Sequence, residues 1–117
     1  MTIKPSSPIE FSNSIDNVTD RIDTIATQLP TDFLSSLEKI CQSSTSPSDL
    51  VEHARDWWPL AMHWALSGMT TRRPGAVCRP TSTIQVSEVV ALCAKNSVPV
   101  TVSGGRSGVC GAAVPLF

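Results

Sequence analysis

The chain has 117 residues, 41% of them hydrophobic and 16% charged, enough for one small globular unit and too few for two well-packed ones. Nine Lys and Arg against ten Asp and Glu leave a formal charge of -1, without the electrostatic footprint of a nucleic-acid or membrane-surface partner. No window approaches the roughly 18 apolar residues of a membrane span. The start, "MTIKPSSPIEFSNSIDN", lacks the apolar core and small-residue cleavage site of a secretory signal, so the sequence reads as cytoplasmic.

The first predicted element is a helix over 15–29. Ile15, Val18, Ile22, Ile25 and Leu29 recur at three- and four-residue steps, and Pro30 ends the run. "TDFLSSLEKICQ" predicts a second helix with Phe33, Leu34, Leu37, Ile40 and Cys41 on one face and Thr31 as its N-cap. One short repeat is too little for a coiled-coil seam, so the two stripes read as packing against each other.

"SSTSPSD" is a small-residue connector. It leads into a helix start at Ser46, with Pro47 at the first helical position, where its missing N–H costs nothing. "LVEHARDWWPLAMHWALSG" then gathers Trp57, Trp58 and Trp64 around Pro59. Two readings stand: a stacking platform for a base or a flavin ring, or a hydrophobic anchor fastening the helical half to a larger core. The absence of interleaved basic residues favours the anchor. His53 and His63 lie beside no recognisable nucleophile or carboxylate motif and read as structural.

The second half changes rhythm. "GAVCRP" is a β-prone run closed by Pro80, and Ser82 with Gln85 three residues later makes a capping box. Val86, Val89, Val90 and Cys93 form the buried stripe of the helix that follows. "SVPVTVSGG" returns to β-branched residues and ends on glycines, completing a strand–helix–strand unit with an expected right-handed crossover. The fold class is therefore α+β, a helical segment over 1–68 followed by a βαβ unit from 69 to 117. Cys41, Cys78, Cys93 and Cys110 contain no Cys-x-x-Cys pair and read as reduced structural thiols, with no metal site.

Gly104, Gly105, Gly108 and Gly111 then crowd "SGGRSGVCG" at the carboxyl end of the second strand. Open α/β sheets bind ligands there, and successive backbone N–H groups in such a turn can form an anion-binding nest. The spacing matches neither the P-loop nor the Rossmann fingerprint. On spacing alone, an anion site and a plain glycine-rich turn are equal alternatives.

The run "RPGAVCRPTSTIQVSEVVALCAKNSVPVTVSGGRSGVCGAAVPLF" resembles the start of the PCMH-type FAD-binding domain of FAD-linked oxidases. That family includes relatives of glycolate oxidase, D-lactate dehydrogenase, vanillyl-alcohol oxidase and alkyl-dihydroxyacetone-phosphate synthase. The resemblance covers about the last 45 residues, and "DWWPLAMHW" is similar to a bacterial subgroup of the same family. It implies that Ser103, Gly104, Gly105, Arg106, Ser107, Gly108, Val109, Cys110 and Gly111 wrap the FAD pyrophosphate with main-chain N–H groups. Some members carry His at the position of Arg106 and attach flavin covalently through it; Arg106 implies non-covalent FAD, with its side chain directed either to the phosphates or to solvent.

The resemblance further implies an incomplete FAD domain in an N-terminal fragment, weakly stable by itself, of an FAD-dependent oxidoreductase. The parent enzyme would oxidise a 2-hydroxy acid or related alcohol, with no catalytic residue in this stretch. The alternatives are a non-catalytic docking module or subunit, whose partner carries the remainder of the domain on a separate chain, and a relative of alkyl-dihydroxyacetone-phosphate synthase with non-redox overall chemistry.

Overall fold

A computed structural model of the chain describes residues 28–66 and 72–115. The helix expected over 15–29 lies outside the described residues, except for its last stripe position, Leu29, which packs against the core.

Helix α1 (Thr31–Ile40) buries Phe33 and Leu37, one turn apart, and Cys41 follows on the same face. Thr31 is not its N-cap. Pro30 takes that place with ψ 145°, accepts from the N–H of Leu34 at 3.0 Å, and leaves Thr31 as the first helical residue. No side chain caps this helix start.

The connector holds a strand that its composition conceals. β1 (Gln42–Ser44) pairs antiparallel with β2 (Val77–Arg79), with Gln42 opposite Arg79, Ser43 opposite Cys78 and Ser44 opposite Val77. Nothing in "QSS" favours a strand; α1 delivers it to β2. Helix α2 (Pro47–Glu52) then starts at Ser46, whose hydroxyl accepts from the Asp49 N–H at 3.4 Å. Arg79 of β2 reaches Asp49 at 2.9 Å and ties the two-stranded sheet to α2. Hydrogen bonds from Ser44 and then Arg79 hold the Asp49 carboxyl below its ordinary range.

Pro59 divides the Trp-rich segment, and helix α3 (Pro59–Leu66) begins at it. Helix α4 (Thr83–Lys95) is capped by Ser82, which accepts from the Gln85 N–H at 3.2 Å. The return arm of the capping box lands one residue early: the Gln85 amide oxygen accepts from the N–H of Thr81 at 2.7 Å. The helix closes through a Schellman turn, with the Val98 N–H on the Cys93 carbonyl and the Ser97 N–H on the Ala94 carbonyl, and with Ser97 at φ 55°.

α1 and α4 share one core of Phe33, Leu37, Cys41, Val89 and Cys93. Only half of the stripe expected on α4 is covered, because Val86 and Val90 remain 47% and 49% exposed. They border a cavity of about 270 Å³ that also meets Ala76, Val77 and Cys78 on one side and residues 98–103 on another. The expected βαβ unit is incomplete: strand and helix are formed, but 98–103, across this cavity from β2, makes no ladder. β2 finds its hydrogen-bond partner in β1 instead. The architecture is α+β, with helices around a two-stranded antiparallel sheet.

Candidate functional site

The glycine loop lies against the turn between α2 and α3. Asp56, only 2% exposed, shapes that turn: its Oδ1 accepts from the Trp58 N–H at 2.9 Å, an Asx-turn. Its Oδ2 accepts from the Ala113 N–H at 3.5 Å and joins the far end of the loop to the same carboxylate. The main-chain N–H of Trp57 donates to two loop carbonyls, Arg106 at 3.2 Å and Gly108 at 3.1 Å.

That bifurcated contact orients the loop. In a trans peptide the C=O and the following N–H point to opposite edges, and there are no cis bonds here. Turning the Arg106 and Gly108 carbonyls toward Trp57 therefore turns the N–H groups of Ser107 and Val109 the other way. Arg106 sits at φ 55°, the left-handed conformation that contributes to a nest of convergent N–H groups.

The Arg106 side chain follows neither path expected of it. It folds back across the loop: Nη2 meets Glu52 Oε1 at 2.9 Å and Nη1 donates to the Glu52 carbonyl. Arg55 meets the other oxygen, Oε2, at 3.1 Å, so the Glu52 carboxylate lies between two guanidinium groups. The hydrogen bond from Arg106 is the main reason that its pKa falls below the ordinary glutamate value; the charges of Arg55 and Arg106 add to it.

The nine loop positions separate into two kinds. A Cβ placed on Gly104 or Gly105 would meet nothing within 4 Å, and Ser107, Val109 and Cys110 are exposed with them. Ser103 borders the cavity beneath. Gly108 and Gly111 face the Trp-bearing segment instead. A Cβ on Gly108 would stand 4.0 Å from Asp56 Oδ2, and one on Gly111, at φ 77°, would stand 2.7 Å from the Trp58 ring. Trp58 also meets Trp64 edge to face, with centroids 5.5 Å apart at 84°. The Trp57 indole is 63% exposed, and this residue acts through its backbone.

Glu52, Asp56, Trp57 and Trp58 are thus site residues beyond the glycine run. For Asp56 a local signal exists, since "DWW" allows an Asx-turn onto the second residue after the aspartate. For Glu52 there is none, as its partner is 54 positions away. His53 is structural, with Nδ1 2.9 Å from the Asp49 carbonyl. Among the described residues, no group of His, Cys, Asp or Glu is arranged to hold a metal ion, and no helix is long and apolar enough to cross a membrane.

Taken together, the open face combines main-chain donors with two glycines that leave room for close approach, and the Glu52 and Asp56 carboxylates are engaged by Arg106, Arg55 and main-chain N–H groups. Such a surface suits a diphosphate.

Comparison with known proteins points to the same class. Residues 74–116 match the family described as FAD binding domain. A stretch of 44 residues is 48% identical to D-lactate dehydrogenase of Anaerostipes hadrus, an alignment that takes in 38% of this chain and 9% of that protein. The matches support an FAD-linked oxidase type of FAD-binding domain in the second half of the chain, while the chain spans only a small part of the relative's length.

Proposed function

We propose that loop 103–111 holds the FAD pyrophosphate through main-chain N–H groups, within an FAD-dependent oxidoreductase that oxidises a 2-hydroxy acid or related alcohol. The observation that carries this reading is the outward edge of the loop: Ser107 and Val109 present N–H groups there, beside Gly104 and Gly105 with open space above them. The family match over 74–116 supplies the ligand, and the D-lactate dehydrogenase relative supports a 2-hydroxy acid as substrate. FAD, when bound, supplies the hydride acceptor.

The contribution of this chain is to bind and orient. Glycines 104 and 105 admit the phosphate oxygens, the N–H groups of Ser107 and Val109 neutralise them, and Trp57 fixes the peptides that carry those donors. FAD is held non-covalently at this loop, because an Arg106 guanidinium engaged by Glu52 is no nucleophile toward the flavin ring. We assign 1–68 to a helical, Trp-anchored extension and 69–117 to the FAD-binding part, in a cytoplasmic protein.

The test is titration of the chain with FAD, followed by flavin fluorescence, for wild type and Gly105→Asp. The expected result is binding that the added carboxylate abolishes by repulsion at the open face. Equal affinity in Gly105→Asp overturns the assignment of the loop.

A further inference from the structure

We infer that Glu52 is a positioning residue for the diphosphate-binding loop, acting through Arg106. The inference rests on the reading of 103–111 as the pyrophosphate site, and concerns what keeps that loop in its binding shape.

Arg106 occupies the left-handed region at φ 55°, a conformation unfavourable for a non-glycine residue. A loop rich in glycine would be expected to put a glycine at such a point, and here it does not. What offsets the cost is visible: both ends of the guanidinium fork are taken up by one residue, Glu52, through its side-chain Oε1 and its main-chain carbonyl. Arg55 fixes the second carboxylate oxygen, and Arg55 is itself in contact with Met62 Sδ at 3.4 Å. The left-handed turn is therefore held from outside, by the end of α2, rather than by its own sequence.

The turn matters to the ligand face because it lies at the peptide that aims the Ser107 N–H. Relaxation of Arg106 to negative φ would rotate the 106–107 peptide, withdraw its carbonyl from the Trp57 N–H and swing the Ser107 N–H off the open edge. Glu52 touches none of the open positions, Gly104, Gly105, Ser107 or Val109, so its influence on a bound diphosphate passes through Arg106. Arg106 in turn acts as a strut, its charge neutralised by a carboxylate with 50% side-chain exposure.

An order-of-substitution experiment tests this. The dissociation constants of FAD and of inorganic pyrophosphate are measured for the full chain as wild type, Glu52→Gln, Arg106→Gly and the double variant, with amide hydrogen exchange over 103–111 in each. Glu52→Gln is expected to weaken both ligands about fivefold, the scale of a partly exposed ion pair, and to speed exchange in the loop. Arg106→Gly removes the strut while tolerating positive φ, so it serves as the background in which the effect of Glu52 is read. In that background Glu52→Gln should change nothing, an independence that a merely structural role for Glu52 would not produce. Glu52→Asp, which keeps the charge but shortens the reach, serves if the amide variant folds poorly; it should weaken binding in the same Arg106-dependent manner. Wild-type binding unaffected by Glu52→Gln, or an equal loss in the Arg106→Gly background, overturns this inference and leaves the FAD reading standing. Absence of FAD binding by the wild type overturns both.

Discussion

The Trp58 ring packs directly onto Gly111, with Cε3 2.7 Å from the point where a Cβ on that glycine would stand. Gly111 also holds φ 77°, so a side chain there is opposed by both space and backbone. Gly111→Ala is expected to destabilise the chain by about 2–4 kcal/mol, combining overpacking with left-handed strain. In a Trp58→Ala background the steric part disappears and the added cost of Gly111→Ala should fall to about 1–2 kcal/mol. Urea unfolding of the four forms measures both; additive costs would show that the ring contact is not the constraint.

Gly104 and Gly105 predict the opposite behaviour. Neither has positive φ or a neighbour within 4 Å of a built Cβ. Alanine at either should leave stability unchanged or raise it by up to about 1 kcal/mol, through the unfolded chain. FAD affinity should nevertheless fall, since the methyl group stands on the open face. Parallel melting and flavin titrations separate the two effects, and lost stability at either position would contradict the geometry.

The four cysteines should differ sharply toward a thiol reagent. Cys41 and Cys93 are buried, and burial among the neighbouring thiols pushes Cys78 up to about 11. Burial also raises Cys93. Cys110 is exposed on the loop. At mildly alkaline pH a single thiol should react fast, Cys110→Ser should remove that phase, and FAD should slow it by covering the loop. Fast reaction of several thiols in the native chain would contradict the burial of Cys41 and Cys93 and the raised pKa of Cys78.

Acid should loosen the contact between α2 and the loop before the core. Glu52 has its folded pKa depressed, chiefly by the hydrogen bond from Arg106. Its contribution is therefore complete above the ordinary glutamate value and is lost as the pH falls through the lowered folded value. Loop protection, with exchange corrected for its intrinsic pH dependence, should be flat from neutrality to the ordinary carboxylate range and fall below it. Glu52→Gln should flatten that acid limb. An unchanged acid limb in the variant would assign it to another carboxylate, with Asp49, lowered by Ser44 and Arg79, next in line.

Much of the local framework was legible in the sequence, for reasons that particular residues make plain. Ser46 with Pro47, and Ser82 with Gln85, announce two helix starts because a cap is a contact over three residues, written in consecutive letters. Phe33, Leu37, Val89 and Cys93 are buried as their helical spacing requires. The resemblance of the run from Arg73 to Phe117 to an FAD-binding domain agrees with the family match over 74–116. Where the local reading failed, something distant intervened. "QSS" became a strand because β2 offered it an edge, whereas 98–103 pairs with no strand and lies across a cavity from β2.

The sequence by itself determined the starts of α2 and α4, the buried positions Phe33, Leu37, Val89 and Cys93, and the place of the glycine loop, since each depends on residues a few positions apart whose sterics and hydrogen bonds act locally. Only the tertiary structure decided where Arg106 points, which glycines are open and which lie under an indole, and that Glu52 and Asp56 support the loop. Those outcomes depend on contacts between residues 54 and 57 positions apart. No local pattern encodes such contacts, because they come into being only when α2 and its following turn are carried against the loop.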